Sequence, residues 1–247
     1  MAVLETEALV LRSYNLAEAD KIVVCLTRRA GLVRAVAKNS RKLKNRFGAA
    51  LEPFTLLNIS CFQKEHQELI SLQQAEILKS NFNLFGNAEI LTALAYMGDL
   101  VIEFSPPYHP NETLFRMLKA CLEAVAACPS DLQAILRYFE VWLLKLEGFL
   151  PDLNLCGDCR RTLKDEEACV VGFDLALRCV ACNSGRGYSL SNKVHGQLRA
   201  THKVSPQVFA EESRAVPVKI QREMAEFTHH LIGRVLEKQP RVRLTIQ

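Results

Sequence analysis

The first third of the chain is a series of short apolar runs with the composition and boundaries of β-strands. Five runs, each rich in β-branched residues and bounded by polar or glycine-containing turns, occur between Thr6 and about Leu78: EALVLRS, KIVVCLT, LVRAVAK, FTLLNISCF and ELISLQQAEIL. Ala30-Gly31 is placed to turn the second run onto the third. Five strands in so short a segment predict a small barrel. The oligonucleotide-binding (OB) fold is the leading candidate, and an SH3-like barrel is the alternative.

From about Asn87 the apolar residues recur with a helical period. AEILTALAYMGDLVIEF stops before a pair of prolines, and ETLFRMLKACLEAVAA follows Asn111, which can cap it. Ser130 and Gln133 have the spacing of a capping box at the start of a third helix, DLQAILRYFEVWLLKLEGF. Three consecutive amphipathic helices with short connections predict a helical bundle.

A fourth long helix is predicted from about Val218 to Lys238, and we expect it to pack on the same bundle. The aromatic residues of the third helix, Tyr138, Phe139 and Trp142, are predicted to belong to the core of the bundle rather than to a cofactor site.

Between the third and fourth helices the pattern becomes polar and loop-like, from Pro151 to about Gly187. These changes of pattern predict three regions, and the helical one is interrupted by an inserted module. We therefore expect a barrel domain at 1–80, a helical domain at 81–150 and 190–247, and the module at 151–189.

Positive charge is concentrated in one short block. The chain contains 31 Lys and Arg and 27 Asp and Glu, a net charge of +4, yet no acidic residue lies between Asp20 and Glu52. That interval holds nine cations, and without them the chain would carry 22 basic and 27 acidic residues, a net of −5. Such a patch attracts a polyanion, although a solvated loop without a ligand is the alternative. The candidate nucleic-acid contacts are Arg28, Arg29, Arg34, Lys38, Arg41, Lys42, Lys44 and Arg46.

Aromatic residues give base stacking little support in the sequence. Only Tyr14 and Phe47 lie near the basic block, and both are also candidates for the core. The Lys and Arg side chains of a loop after the third strand can neutralise phosphates by releasing counterions. We therefore expect contacts mostly with phosphates, independent of base sequence.

Four of the nine cysteines form two closely spaced pairs. CGDC contains Cys156 and Cys159, CVAC contains Cys179 and Cys182, and 19 residues separate the pairs. Four thiolates complete a tetrahedron around zinc and leave no position for water, so one structural Zn²⁺ is predicted. An iron–sulfur cluster is the remaining alternative. The other cysteines are predicted to be packed thiols or bystanders: Cys25, Cys61, Cys121, Cys128 and Cys169.

Several function classes lack their signals. The N-terminus has no basic leader, and no apolar stretch approaches the length of a membrane span, so we expect a cytoplasmic protein. Neither G-x-x-x-x-G-K-[ST] nor G-x-G-x-x-G occurs, and the six histidines are scattered, so enzyme activity has no support. A nuclease with a metal site built from distant residues remains one alternative.

Two longer stretches resemble the bacterial DNA repair protein family RecO. FGAALEPFTLLNIS is similar to the segment that enters the family's fourth strand, and ILRYFEVWLLKLEGFLPDLNLCGDC is similar to its helix leading into the first cysteine pair. The order of barrel, helices and inserted four-cysteine module also matches. The chain departs from the family at Asn39, where glycine is usual, and at Leu43, where proline is common.

The resemblance implies a recombination mediator that uses no nucleotide fuel. Members of the family bind single- and double-stranded DNA, anneal complementary strands, and work with RecR and RecF to load RecA onto DNA covered by single-stranded-DNA-binding protein (SSB). They also bind the acidic, hydrophobic C-terminal tail of SSB, for which Arg137, Arg116 and Lys119 are the candidate contacts here. A zinc-ribbon RNA-binding or transcription-associated protein with the same barrel is the alternative.

Overall fold

The structure is a computed structural model that describes residues 2–63, 69–164, 167–183, 185 and 187–236. The chain divides into two compact units, Met1–Leu122 and Glu123–Gln247. Within the described residues, no helix combines the length and the apolar character that a membrane span requires. Glu68 at the start of the predicted fifth strand and Lys238 at the end of the predicted last helix lie outside the described residues.

The first unit begins with a closed five-stranded barrel, as the sequence predicts. Its strands follow the neighbour order β1-β2-β3-β5-β4, and a short parallel pairing of the third and fifth strands accompanies the antiparallel pairs. The Greek-key connectivity is that of an OB-type barrel. The strands are β1 Ala2–Leu16, β2 Asp20–Thr27, β3 Gly31–Ala37, β4 Leu56–Gln63 and β5 Ile70–Lys79.

Small and β-branched side chains fill the barrel interior. Val23 and Cys25 on β2 point inward, as do Val33 and Ala35 on β3, and all four are at most 2% exposed. On β1 the alternation is interrupted, because a register shift lies between Val10 and Arg12. Residues after this bulge face the opposite side from the one that a strict two-residue period would give them.

Two helices complete most of the first unit, at the positions that the sequence predicts. They are α1, Ala88–Phe104, and α2, Glu112–Ala127, whose last residues belong to the second unit. The Asn111 side chain accepts a hydrogen bond from the Leu114 amide at 3.0 Å, which confirms the predicted cap. The connection between the helices runs along the edge of β3, where the Tyr108 amide donates to the Leu32 carbonyl at 3.0 Å.

The described residues of the second unit contain four α-helices after α2, and two of them were not predicted from the sequence. They are α3 Leu132–Leu146, α4 Asn192–Ala200, α5 Pro206–Ser213 and α6 Val218–Leu236. The two helices that were not predicted, α4 and α5, are too short for a clear helical period of apolar residues. The side chains of Ser191 and Ser205 cap their N-termini. Tyr138 and Phe139 of α3 are buried in the core, as predicted, whereas Trp142 is only half-buried.

The start of α3 differs from the prediction. The helix begins at Leu132 after a 3₁₀ turn, so Asp131 rather than Ser130 occupies the cap position. The Asp131 carboxylate makes no cap hydrogen bond and instead pairs with Arg214 at 2.6 Å. This ion pair lowers the pKa of Asp131 below its usual value, through hydrogen bonding to Arg214.

The polar zone before α4 is more ordered than its composition suggests. Three short strands, β6 Cys169–Val171, β7 Leu177–Cys179 and β8 Tyr188–Leu190, form an antiparallel sheet in the order β7-β6-β8. The prediction of a loop-like zone is therefore incomplete. Strands of three residues are too short for periodicity to reveal them.

Candidate nucleic-acid interface and metal site

The basic segment Lys38–Arg46 is anchored at its first end by the turn between β1 and β2. The Asn39 amide donates to Asp20 Oδ1 at 2.7 Å, and the Arg41 amide and Nη1 donate to backbone carbonyls of that turn at 3.0 and 2.8 Å. Asn39 has a left-handed backbone with φ of 58°. Asparagine tolerates this conformation better than most residues, so position 39 does not require glycine.

The other end of the segment is anchored on the barrel. Asn45 Oδ1 accepts hydrogen bonds from the amides of Phe47 and Gly48 at 2.9 and 2.8 Å. The Arg46 guanidinium donates to the Leu72 carbonyl at 3.2 Å and lies over the Phe47 ring, 4.9 Å from its centroid. Between these anchors, the side chains of residues 42–44 are exposed to solvent.

Six cations of this region remain available to an anionic ligand. All six are exposed, and no carboxylate of the described residues pairs with any of them. Unpaired charges of one sign on an anchored loop produce a local positive potential. They are Arg34, Lys38, Arg41, Lys42, Lys44 and Arg46.

The structure places Arg28 and Arg29 away from the basic segment Lys38–Arg46, with Arg34 between them in the middle of β3. Arg28 and Arg29 lie in the turn between β2 and β3, at the start of β3, whereas Lys38 follows the end of β3. A seven-residue strand spans about 20 Å. Arg28 is engaged by two carboxylates, Glu112 at 2.8 Å and Glu7 at 2.9 Å, and its hydrogen bonds to them raise its pKa. The eight predicted contacts therefore do not form one cluster.

The two aromatic residues near the basic block occupy different environments. Phe47 is 4% exposed and belongs to the barrel core, as the sequence allowed. Tyr14 is 43% exposed and is not part of that core.

The four paired cysteines converge in the second unit. Their Sγ atoms all lie within 4.8 Å of one another, and the Sγ atoms of Cys159 and Cys179 are 4.0 Å apart. Zinc–sulfur bonds of about 2.3 Å in a tetrahedron require sulfur–sulfur distances of about 3.8 Å. The thiols of Cys156, Cys159, Cys179 and Cys182 therefore need only small shifts to hold one metal ion.

Backbone donors favour the charged form of one of these thiols. Burial raises the pKa of Cys156, but the amides of Cys179, Cys159 and Asp158 outweigh it and lower the pKa to about 6. Hydrogen bonds with Cys179 and Cys159 raise the pKa of Cys182 to about 12. Four adjacent thiolates repel one another, so a cation is needed to hold all four in that form.

Ion pairs brace the loops that carry the cysteines. Arg178 pairs with Asp158 at 2.9 Å and with Asp174 at 2.6 Å, which ties the first cysteine pair to the β6–β7 hairpin. Arg161 pairs with Glu167 and lowers the pKa of that carboxyl to about 2.

The remaining cysteines lie outside this group, as predicted. Cys169 faces Cys179 across the small sheet but is not one of the four, and its thiol donates to the Glu167 carbonyl at 3.3 Å. Cys25, Cys61 and Cys121 are buried and Cys128 is half-buried. Burial raises the pKa of the Cys61 thiol to about 12, as expected for a packed and unreactive group.

Arg137 belongs to a buried polar cluster that the sequence analysis missed. Its Nη2 donates to Glu140 Oε1 at 2.8 Å, and its Nη1 lies 3.0 Å from His229 Nε2. Thr228 donates to the other oxygen of Glu140, whose side chain is fully buried. Burial raises the pKa of Glu140, but the Arg137 charge and the hydrogen bonds outweigh it and lower the pKa. The three-residue spacing of Arg137 and Glu140 on α3 was the available sequence signal.

The same arginine lines an open cavity of about 100 Å³ in the second unit. Phe209, Val216 and Met224 form apolar walls of this cavity, and the exposed Arg222 also lines it. The other candidates for the SSB tail, Arg116 and Lys119, lie on α2 in the first unit. Arg116 is exposed, and Lys119 Nζ is 3.8 Å from Glu7.

Fold and site together define a class of protein. A small barrel with an anchored cationic loop, followed by helices and a four-thiol cluster, is suited to hold a nucleic-acid backbone.

Family models identify the chain more closely. The model described as "Recombination protein O N terminal" matches residues 1–81, and the one described as "Recombination protein O C terminal" matches residues 86–244. The chain therefore belongs to the RecO family of DNA repair and recombination proteins.

Curated relatives agree with this assignment. The chain is 35% identical over 161 residues to a DNA repair protein RecO of Koribacter versatilis, covering 65% of each chain. It is 36% identical over 191 residues to the protein of the same name from Thermodesulfovibrio yellowstonii, covering 75% of this chain and 72% of the relative. The RecO protein of Anaeromyxobacter sp. (strain Fw109-5) is 28% identical over 240 residues, covering 94% of this chain and 93% of the relative.

Proposed function

We propose that this protein binds single- and double-stranded DNA through the sugar–phosphate backbone and anneals complementary strands. The observation that carries the proposal is the set of six exposed cations, unpaired among the described residues, on and beside an anchored loop of an OB-type barrel. Cations that neutralise phosphates on both strands lower the repulsion between the strands. Annealing by this route needs no nucleotide and no catalytic residue.

The family assignment supports the rest of the role. As a RecO-type mediator, the protein would work with RecR and RecF to load RecA onto SSB-coated DNA, in the bacterial cytoplasm and close to the nucleoid. The decisive experiment is strand annealing with SSB-coated complementary oligonucleotides, performed with intact SSB and with SSB lacking its C-terminal tail. We expect annealing that falls when the tail is removed, without strand cleavage in magnesium or manganese.

Two rival functions give different results in the same system. A zinc-ribbon RNA-binding protein would be released from DNA by equimolar RNA of the same sequence and would show no dependence on the SSB tail. A nuclease would shorten the labelled strand. Either result would replace the proposal with that rival.

We propose that the four-thiol cluster holds one structural Zn²⁺. The charge and softness of four thiolates suit zinc, and four sulfur ligands leave no coordination position for a substrate. Bound there, the ion would supply cross-linking between the two cysteine loops. Elemental analysis of protein purified under reducing conditions should show one zinc per chain, and stoichiometric iron would favour a cluster instead.

We propose that the cavity beside Arg137 receives the tail of SSB. Apolar walls suit its hydrophobic residues, and the guanidinium groups of Arg137 and Arg222 suit its carboxylates. Arg116 and Lys119 remain candidate contacts on the first unit. A labelled tail peptide should bind with an affinity that falls in Arg222→Ala, an exposed site where folding is not at risk. Comparison with Arg116→Ala assigns the tail to one unit or the other.

A further inference from the structure

The outer surface of β1–β3 carries a row of three side chains that the basic loop does not explain. Tyr14, Ile22 and Val36 are direct partners across the three neighbouring strands. Partners in adjacent strands project on the same face of a sheet. Since Val23 and Ala35 point into the barrel, their neighbours Ile22 and Val36 point outward, and Tyr14 points outward with them.

The bulge in β1 is the reason that Tyr14 is on this face. Ala8 and Val10 lie in the barrel core, and an unbroken alternation would put residue 14 on the same inner side. The register shift after Val10 reverses the alternation, so Ser13 pairs with inward-facing Val23 and Tyr14 turns outward. Bulges of this kind re-aim side chains and are typical of functional edges of barrels.

The exposed ring is held in place by polar contacts. Arg12 Nη1 donates to the Tyr14 hydroxyl at 3.3 Å, and the guanidinium lies 5.9 Å from the ring centroid. Arg12 is in turn paired with Asp99 on α1, a side chain that is only 6% exposed. A ring that is 43% exposed therefore sits on a defined support, and ordering it on binding costs less entropy than ordering a mobile side chain.

Two cations that pair with no carboxylate of the described residues border the row on one side. Arg34 lies on β3 two residues before Val36, and Lys38 directly follows β3, two residues after Val36. Both side chains are exposed. Strands are about 4.8 Å apart, so the backbone of β3 lies about 10 Å from that of β1. A nucleotide whose base lies on Tyr14 can thus have its flanking phosphates near these two cations.

We propose that Tyr14, beside Ile22 and Val36, is a base-stacking platform that gives the protein a preference for single-stranded over double-stranded DNA. The inference rests on the proposed function, since the phosphates must first be held by the cations. Every base has a face that can stack, so the platform does not read sequence. Paired bases within a duplex do not present their faces, so duplex binding does not use it.

A protein partner is the other class of occupant for a row in which Tyr14 is exposed and Ile22 and Val36 are half-buried. The two unpaired cations beside the row favour a polyanion, and a single strand supplies phosphates and exposed base faces at the same spacing. We therefore expect single-stranded DNA on this surface, and the test below would reveal a protein-binding surface by showing no effect of Tyr14→Ala on DNA binding.

The test combines a protein substitution with a change in the DNA. Wild type, Tyr14→Ala and Tyr14→Phe are titrated with labelled oligo(dT), with an abasic oligonucleotide of the same length, and with a duplex. Tyr14→Ala should bind oligo(dT) roughly 5- to 150-fold more weakly, the range of one lost base–aromatic stack, with an unchanged salt slope. Tyr14→Phe should bind as wild type does, because the ring is retained.

The abasic strand separates stacking from any indirect effect. Wild type should lose affinity when the bases are removed, whereas Tyr14→Ala should be nearly indifferent to their removal. Duplex binding should be the same for all three proteins. Equal binding of oligo(dT) by Tyr14→Ala and wild type overturns the platform, as does equal weakening on both oligonucleotides.

A loop variant keeps the platform and the DNA-binding proposal distinguishable. If Arg41→Ala/Lys42→Ala/Lys44→Ala loses affinity while Tyr14→Ala does not, phosphate binding stands and only the platform fails. If neither variant loses affinity, both proposals fail. Thermal unfolding at the wild-type temperature shows that the Tyr14 variants are folded, as expected for an exposed side chain.

Discussion

The most direct consequence of the anchored cationic loop is the salt dependence of DNA binding. The triple variant Arg41→Ala/Lys42→Ala/Lys44→Ala removes three exposed cations that have no carboxylate partner among the described residues, and with them the bond from Arg41 Nη1 to the β1–β2 turn, while the other anchoring contacts, from the Arg41 amide and from Asn39, Asn45 and Arg46, remain. Each phosphate contact on a single strand contributes about 0.7 to the slope of log affinity against log salt, and about 0.9 on a duplex. Three lost contacts should flatten the slope by about 2.1 and 2.7, respectively.

These slopes translate into a large and easily measured difference. If all six unpaired cations contact a single strand, raising salt from 50 to 200 mM should weaken wild-type binding about 300-fold but triple-variant binding only about 20-fold. Fluorescence anisotropy with oligonucleotides of two unrelated sequences measures both slopes. The loss should be the same for both sequences because phosphates carry no base information.

A charge-matched control separates the loop from net charge. Lys203→Ala/Lys219→Ala/Arg222→Ala also removes three exposed cations, but from the second unit. It should leave the slope nearly unchanged. Equal slopes for the loop variant and wild type, or equal flattening by both triple variants, would refute the assignment of phosphate contacts to the loop. Arg28→Ala should change the slope less than any single loop substitution, because Glu7 and Glu112 already engage its charge.

Three further predictions concern the second unit, whose unfolding can be followed by fluorescence of Trp142, the single tryptophan of the chain. Cys156→Ser should abolish stoichiometric metal binding and destabilise the unit while the barrel's circular dichroism persists; full metal content and unchanged stability would contradict the metal site. Arg137→Ala should cost about 3–5 kcal/mol, because it leaves the buried Glu140 carboxylate without its cation, and a loss below about 1 kcal/mol in urea unfolding would show that the cluster does not depend on the pair. Burial, and to a lesser extent the charge of Lys145, lower the pKa of His202 to about 4 in the folded protein. The unfolded chain binds this proton near pH 6.5, so the free energy of unfolding is highest above pH 6.5 and falls as the pH drops towards 4. Between pH 7.5 and 5.0 the free energy of unfolding of this unit should therefore fall, and His202→Phe, which keeps a ring against Trp142, should remove this pH dependence; an unchanged pH profile in that variant would contradict it.

The buried cluster around Glu140 also shows how the second unit joins distant parts of the chain. Arg137 and Glu140 lie on α3, whereas Thr228 and His229 lie on α6. Removing a buried charge partner is costly, but the cluster as a whole contributes less than its Coulomb energy because both charges were taken out of water. The cluster lies beside the open cavity, which Arg137 and His229 both line.

Local pattern predicted a large part of this fold correctly. The limits of α1 and α2 coincide with the periodic segments, since proline and asparagine mark helix ends through backbone chemistry that acts over a few residues. The five strands and the cysteine spacing were likewise readable, because a two-residue period and a C-x-x-C loop are local properties. The short strands β6–β8 gave too few residues for a period to be detected.

Only the tertiary structure decided which of the charged and aromatic side chains are available to a ligand. Arg28 looked equivalent to Arg41 in the sequence, yet Glu112, 84 residues away, engages it. Tyr14 points outward because a bulge reverses the inward–outward alternation of β1. The position of that bulge could not be predicted from the residues around Tyr14. The sequence by itself determines the charge of a segment, the period of its apolar residues and the type of metal ligand it offers, since these are properties of residues close together along the chain. Exposure and pairing depend on packing between segments far apart in sequence, and only the folded chain contains that information.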